Sequence, residues 1–223
     1  MANWCYSGIT FYSEKEQAIT EFAKKLNEIC NGKPTQENSF GKGWMGDFAN
    51  VFYPSIGAEH IDCRGRLCDI DIGAVRVGKF FYLSICTETA WDAKIGLWYK
   101  ILQDFYPDMK LAYAAEESGN LYFVKWDETG LFYPHDFYMD MAYPNNDGDI
   151  AYLEDHEFGS MKEIYDWLVL NVPFEYEKKE SACELDWEIR SKLDKYNSDE
   201  FFCNIAEYTK IDPSEFDFKI NRR

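Results

Sequence analysis

The stretch WCYSGITFYSEKEQAITEFAKKLNEIC, Trp4 to Cys30, decides the fold because its apolar spacing changes once along its length. From Trp4 to Tyr12 the residues alternate loosely and are rich in strand formers, so a first strand is expected there. Ser13 and Glu16 then have the spacing of a capping box. Beyond them Ile19, Phe22, Ala23, Leu26, Ile29 and Cys30 recur in steps of three and four, which is one face of a helix. Asn31-Gly32 followed by Pro34 marks its end.

Outward from this strand–helix unit, residues 33–60 read as Gly-rich and irregular. A strand is expected over Asp69 to Val77, paired through Gly78-Lys79 with a second over Phe80 to Cys86. Asp92 is placed to cap a helix whose apolar face is Ile95, Trp98, Ile101, Leu102 and Phe105, stopped by Pro107. Met109 to Ala115 and Leu121 to Trp126 read as two strands joined by the turn at 116–120, and Leu131 to Tyr143 is expected to extend the sheet. The order β-α-β-β-α-β predicts an α+β protein with a ferredoxin-like antiparallel sheet, two helices on one face, and extra strands. The last third reads as helical. Ser160 with Glu163 and Ser181 with Glu184 form capping boxes. The first precedes Ile164, Trp167 and Leu168, and the second precedes Ala182, Leu185, Ile189, Leu193 and Tyr196. Ser198 is expected to cap a short helix carrying Phe202, Ile205 and Tyr208. The resulting division is a core over 1–126, an acidic aromatic extension over 127–159, and a helical acidic segment over 160–223 packed on the core as one unit.

The chain is 46% hydrophobic and 18% aromatic, enough to bury a core, and carries a formal charge of −17. Residues 1–100 hold 12 acids and 11 bases, whereas residues 101–223 hold 28 acids and 12 bases. Such a balance repels phosphate backbones and anionic membranes, so direct nucleic-acid and membrane binding are not expected, and basic proteins are the natural partners. Seven scattered cysteines and a start, Met1-Ala2-Asn3-Trp4, without a basic or apolar leader predict reduced thiols in the cytosol. No apolar run approaches the ~20 residues a membrane helix needs.

The opening Met1-Ala2-Asn3-Trp4-Cys5 is one of several motifs that carry a resemblance. The others are Thr89-Ala90-Trp91 before the second helix, Tyr106-Pro107-Asp108, and the turn Glu116-Glu117-Ser118-Gly119-Asn120. Together they resemble a family of uncharacterised phage- and plasmid-borne proteins with a YubB-type ferredoxin-like domain. The resemblance covers roughly residues 1–126, with a poor match across 33–75. It implies a mobile-element origin and a ferredoxin-like fold, and it brings no catalytic residues.

Several motifs approach the patterns of known chemistry. Gly41-Lys42-Gly43-Trp44-Met45-Gly46 matches G-x-G-x-x-G in letters, but no strand precedes it and no helix is expected at Asp47, so a loop is the reading. Tyr143 to Glu154 approximates a calcium loop, with Asn145, Asp147 and Glu154 as oxygen ligands. Tyr143, however, stands where a carboxylate is required, and an Asn-Asn-Asp-Gly turn is the alternative. His60, Cys63, Cys68 and Cys86 lack the two tight pairs of a structural zinc site. Asp69 and Asp71 would share one face of a strand, as a metal-nucleotide pair or as the solvent side of an edge. With three histidines and no nucleophile signature, no catalytic residue, metal site or cofactor is assigned.

The most unusual stretch lies between Trp126 and Met161, where nine acids occur without one lysine or arginine. They are Asp127, Glu128, Asp136, Asp140, Asp147, Asp149, Glu154, Asp155 and Glu157, interleaved with rings that include Tyr133 and Tyr138. These eleven residues are the candidate partner-binding set. The expected function is a non-enzymatic phage or mobile-element protein that binds a basic protein surface. Its sharpest form is a nucleic-acid mimic that inhibits a host defence nuclease. The alternatives are a metal- or nucleotide-dependent enzyme and a self-associating structural module. The bland reading of the same stretch is a solvated acidic surface whose rings turn inward.

Overall fold

A computed structural model of the chain describes residues 3–70, 73–117, 119, 121–145, 147–196, 200–216 and 218, without the side chains of Asp69 and Ile70. The described residues form a mixed α+β protein with five α-helices and mostly antiparallel sheet. They fall into two compact units, Met1–Tyr133 with Lys210–Arg223, and Pro134–Thr209.

In the first unit the strand–helix reading of the opening stretch is realised. Strand β1 (Trp4–Ser13) is followed by helix α1 (Glu16–Asn31), which buries Ile19, Phe22, Ala23 and Leu26. Ser13 is not its cap. Its Oγ accepts from the Lys15 amide at 3.1 Å and donates to the Asp108 carbonyl at 2.9 Å, so it ties the turn to a neighbouring loop, and Lys15 stands at the cap position. The segment read as irregular contains helix α2 (Met45–Phe52), which buries Met45, Phe48, Ala49 and Phe52. Eight residues give little periodic signal, and the glycines before it hid its start. Asp47 lies inside this helix, and its carboxylate accepts from the Thr35 amide and hydroxyl at 2.8 and 2.7 Å.

The single strand expected over Asp69 to Val77 is two pieces, β2 (Gly65–Ile70) and β3 (Val75–Val77), and both pair with β4 (Phe80–Ala90). Helix α3 (Ile95–Phe105) follows. Asp92 does not cap it. Lys94 occupies the cap position with φ 49°, and its buried ammonium pairs with Asp62 at 2.8 Å and Asp92 at 3.0 Å. Strands β5 (Lys110–Glu117) and β6 (Tyr122–Trp126) complete the run. The chain returns at β10 (Thr209–Lys210), and the sheet order is β10-β6-β5-β1-β4-β2, with β3 also on β4. Alternation on β1 sends Ile9 and Phe11 into a core shared with all three helices. Phe11 meets the rings of Phe22 at 4.8 Å and Trp98 at 5.6 Å, and Trp98 meets Phe48 at 5.2 Å.

The second unit has its own core. Strands β7 (Phe137–Pro144), β8 (Ile150–Phe158) and β9 (Phe202–Glu207) form a separate sheet in the order β8-β7-β9. Helices α4 (Met161–Asn171) and α5 (Ala182–Leu193) carry the serine half of the expected boxes, with the Ser160 and Ser181 side chains accepting from the amides of Glu163 and Glu184, while the Glu163 carboxylate accepts from the Gly159 amide. Their apolar stripes, Ile164 and Leu168 with Leu185, Ile189 and Leu193, pack with Met139, Met141, Cys203 and Ile205 from the sheet.

Three expectations are corrected here. Leu131 to Tyr143 does not extend the first sheet, because β7 pairs only with β8 and β9. Residues 202–208 are not a helix. Ser198 lies outside the described residues, and Phe202 to Glu207 is a strand whose Cys203 and Ile205 point inward. The spacing of Phe202, Ile205 and Tyr208 fits a helix, but Cys203 and Ile205 also fit alternation, and the free edge of β7 selects the latter. The segment 160–223 is therefore not all helical, and the compact units do not divide at 126 and 159.

Gly46 is closely covered in the first unit, since a Cβ there would lie 2.1 Å from the indole of Trp44. Gly46→Ala is expected to destabilise the first unit by about 1–3 kcal/mol through overpacking, read as a lower urea midpoint with unchanged slope.

Candidate functional site

The structure divides the nine acids. Asp127 and Glu128 belong to the first unit, and the other seven to the second. Asp127 is an organiser of its own turn. Its carboxylate accepts from the Thr129 amide and hydroxyl and from the amides of Phe132 and Tyr133, at 2.7 to 3.0 Å. Burial raises its pKa, but the hydrogen bonds from Tyr133, Thr129 and Phe132 outweigh it and hold the carboxyl below the usual range. Glu128 is exposed and paired with Lys110 at 2.7 Å. Neither adds free negative charge to a patch. Tyr133 packs on β1, with its hydroxyl 3.2 Å from the Thr10 hydroxyl and its ring against Gly8, so it is structural rather than a ring offered to a partner.

The remaining acids sit on the β7–β8 hairpin or beside it, and a bulge arranges the central ones. The register runs Met139 to His156 and then Met141 to Leu153. Asp140 alone therefore faces the two residues Glu154 and Asp155, and Asp155 takes φ 44°. Met139 and Met141 enter the core, so alternation sends Asp140 to the opposite face. The register thus sets Glu154 and Asp155 across from Asp140. Asp140 is partly buried there. Burial first, and then the charges of Asp155 and Glu154, raise its pKa above the ordinary aspartate value. The Tyr138 hydroxyl donates to Asp155 at 2.7 Å while the residue is only 3% exposed. Tyr138 therefore positions an acid and does not itself reach a partner.

The tip and base of the hairpin carry the rest. Asn145 Oδ1 accepts from the amides of Asp147 and Asp149, both at 2.9 Å, and leaves the two acids exposed. This is the Asx-type turn, and Tyr143 is buried in the core instead of lying toward a calcium ion. Asn146 lies outside the described residues. At the base, Glu157 accepts from His135 Nδ1 and from the Tyr208 hydroxyl, each at 3.3 Å. Asp136 sits where its backbone carbonyl accepts from the Tyr208 amide at 2.9 Å. Neither His135 nor Tyr208 was marked by the sequence, because Tyr208 meets Glu157 only through the β7–β9 pairing.

The charge of the second unit is concentrated on this hairpin for a second reason. Pro134–Thr209 holds 19 acids and six bases, and all six bases fall within residues 162–195. Four of them are paired locally: Lys162 with Asp166, Lys179 with Glu177, Arg190 with Asp186, and Lys192 with Glu188. Lys178 lies over the Tyr165 ring. The hairpin acids have no such neighbours in sequence.

The other candidate chemistries do not assemble. Cys63 is buried and its thiol donates to the Ala58 carbonyl, while Cys68 and Cys86 are exposed and His60 lies beside Glu59. Burial and the charge of Asp62 push the Cys63 thiol up to about 12. The side chain of Asp69 and all of Asp71 lie outside the described residues. Among the described residues, no group of three or more His, Cys, Asp or Glu is arranged to hold a metal ion, and no helix is long and apolar enough to cross a membrane. No protein-family model, no curated protein and no solved structure matches the chain.

Two acids give opposite pH signatures. The folded pKa of Asp127 is lowered, so its contribution is present above the unfolded pKa and is lost as pH falls through the folded one. Asp127→Asn is expected to cost about 1–3 kcal/mol at neutral pH and to flatten the acid limb of stability measured by urea titration. The folded pKa of Asp140 is raised, so its ionised form opposes folding and the opposition fades as pH falls toward the carboxylate range. Asp140→Asn is expected to raise the melting temperature at neutral pH, with the gain shrinking in acid. A lower melting temperature at neutral pH would contradict the crowding of these three carboxylates.

Proposed function

We propose that this chain is a non-enzymatic protein of a phage or other mobile element that binds a basic protein surface through the β7–β8 hairpin of its second unit. The sharpest form of this reading is a nucleic-acid mimic that occupies the basic cleft of a host defence nuclease in the bacterial cytosol. The observation that carries it is the segregation of charge. The second unit holds the acidic excess, and its bases are absent from the hairpin. The bulge adds weight, since it sets Glu154 and Asp155 against Asp140, whose pKa is raised by burial and then by their charges. Carboxylates so placed suit the forked donors of arginine, and a field of one sign steers a basic partner to its site. The contact set is Asp140, Asp147, Asp149, Glu154 and Asp155, with Asp136 and Glu157 at the base of the hairpin.

The origin belongs to the same proposal. In the first unit the consecutive strands β5-β1-β4-β2, with α1 and α2 after β1 and α3 after β4, support a ferredoxin-like reading. That reading agrees with the resemblance carried by Asn3-Trp4-Cys5 and Thr89-Ala90-Trp91.

Capture of partners from a bacterial lysate tests the proposal. The full chain is expected to retain a basic protein at low salt, to lose it as salt rises, and to release it to duplex DNA added in competition. The triple variant Asp140→Asn, Glu154→Gln, Asp155→Asn is expected to retain markedly less while remaining folded. Capture that ignores salt, DNA and the triple variant alike would reject the proposal.

A further inference from the structure

Cys68 and Cys86 are exposed thiols on two paired strands of the first unit. They lie at one edge of its sheet, where β2 ends the order and β4 is its neighbour. The register runs Arg66 to Glu88 and Leu67 to Thr87, and then passes to Asp69 with Cys86. Cys68 is thus the extra residue of a bulge, and Cys68 and Asp69 together oppose Cys86. Alternation puts both thiols on one face. Arg66 and Glu88 meet across the strands at 2.9 Å, Cys68 follows Arg66 by two residues, and Cys86 precedes Glu88 by two. Leu67 and Ile85 take the opposite face and enter the core. Opposed residues of antiparallel strands have Cα atoms about 4.5–5.5 Å apart, which is within the span of a disulfide.

The other cysteines are placed differently. Cys5, Cys63 and Cys203 are buried, Cys30 is half-buried on α1, and Cys183 is exposed on α5 of the other unit. On β1 the partner of Cys86 is Gly8, so the side chains set against Cys86 come from β2. Cys68 is not an activated thiol. Burial and then the charge of Glu88 raise its pKa above the ordinary cysteine value, and Arg66 only partly offsets them. Tyr6 of β1 completes the surroundings, with its hydroxyl donating to Glu88 at 3.3 Å. Proximity, and not a reactive thiolate, is what this pair offers.

The edge has something to fasten. On its outer side β2 holds the loop ahead of α2, through the Leu67 amide donating to the Gly43 carbonyl at 2.9 Å and a bridge between Trp44 and Arg66. We propose that Cys68 and Cys86 form a reversible dithiol–disulfide latch, closed by a low-molecular-weight disulfide such as oxidised glutathione, that ties this edge to β4. The Cys68 thiolate attacks one sulfur of glutathione disulfide, forming a mixed disulfide and releasing one glutathione thiolate, which takes up the proton Cys68 lost. The Cys86 thiolate then attacks the Cys68 sulfur and releases the second glutathione in the same way. Two protein thiols are oxidised, and one glutathione disulfide is reduced to two glutathiones. The latch is independent of the hairpin, and either can hold without the other.

The full chain, equilibrated in glutathione buffers of rising oxidised fraction, quenched in acid, alkylated and digested with trypsin, tests this. Trypsin cuts at Arg76 and Lys79, so closure joins a peptide holding Cys68 to one holding Cys86. The joined peptides are expected to appear before glutathione adducts accumulate on Cys183, and to separate again in excess reduced glutathione. Closure is expected to speed up about tenfold per pH unit above neutrality, following the thiolate. The closed chain is expected to melt at a higher temperature than the reduced one. Cys68→Ser, an exposed change, is expected to abolish both the joined peptides and that rise, and to leave Cys86 carrying a glutathione adduct. The proposal is overturned if both cysteines stay reduced at every buffer composition, if each accumulates glutathione adducts without joining, or if closure leaves the melting temperature unchanged.

Discussion

Everything in the first unit depends on β1 being paired on both edges. Its ten residues align with β4 on one side, and seven of them align with β5 on the other. A strand so held must use both of its faces. One face sends Ile9 and Phe11 to the three helices, and the ring contacts of Phe11 with Phe22 and Trp98 set how closely α1 and α3 approach it. The other face presents Gly8, Thr10 and Tyr12. Gly8 leaves room for the Tyr133 ring, Thr10 meets its hydroxyl, and Tyr12 is gripped by Phe132. The turn that delivers Phe132 and Tyr133 is closed by the carboxylate of Asp127. One of the acids that looks like free surface charge in the sequence is thus a backbone clamp.

The second unit resolves the same question differently. The segment that carries its helices keeps four bases in local pairs, while no lysine or arginine lies along the hairpin beside Asp140, Asp147, Asp149, Glu154 and Asp155. Where Asp127 gains four donors, Asp140 gains two carboxylate neighbours. A solvated surface has no reason to crowd charges at a bulge, since the same strands could carry neutral polar residues at lower cost. That contrast, and not the number of acids, separates the clamp in one unit from the proposed contact face in the other.

How much of this was legible in the sequence depended on length and on locality. Long periodic helices were readable, as with Ile19 to Leu26 on α1 and Leu185 to Leu193 on α5, because many turns repeat one signal. The caps Ser160 and Ser181 were readable because their partners lie three residues away. Ser13 and Asp92 carry the same letters but bond elsewhere: Ser13 to the Asp108 carbonyl, a partner set by tertiary packing, and Asp92 to the amide and ammonium of Lys94 just ahead of the helix. Helix α2 was too short to announce itself, and β9 was ambiguous until β7 offered an edge. The acidic stretch was visible at once. Its partition was not, because the bulge that gathers Asp140, Glu154 and Asp155 and the four donors that occupy Asp127 are properties of strand register and turn closure. Tyr12 read simply as a strand residue. Its burial between Phe80 and Phe132 follows from strand pairing and turn placement, which no local pattern encodes.

The central claim is that the hairpin of the second unit is the contact face. Hydrogen exchange of the full chain, alone and bound to a basic partner, measures this most directly. Added protection is predicted over β7 and β8, centred on residues 140–155, with the amides of β1 and β5 unchanged. Protection that falls instead on the first unit, with 140–155 exchanging as in the free chain, would contradict the account.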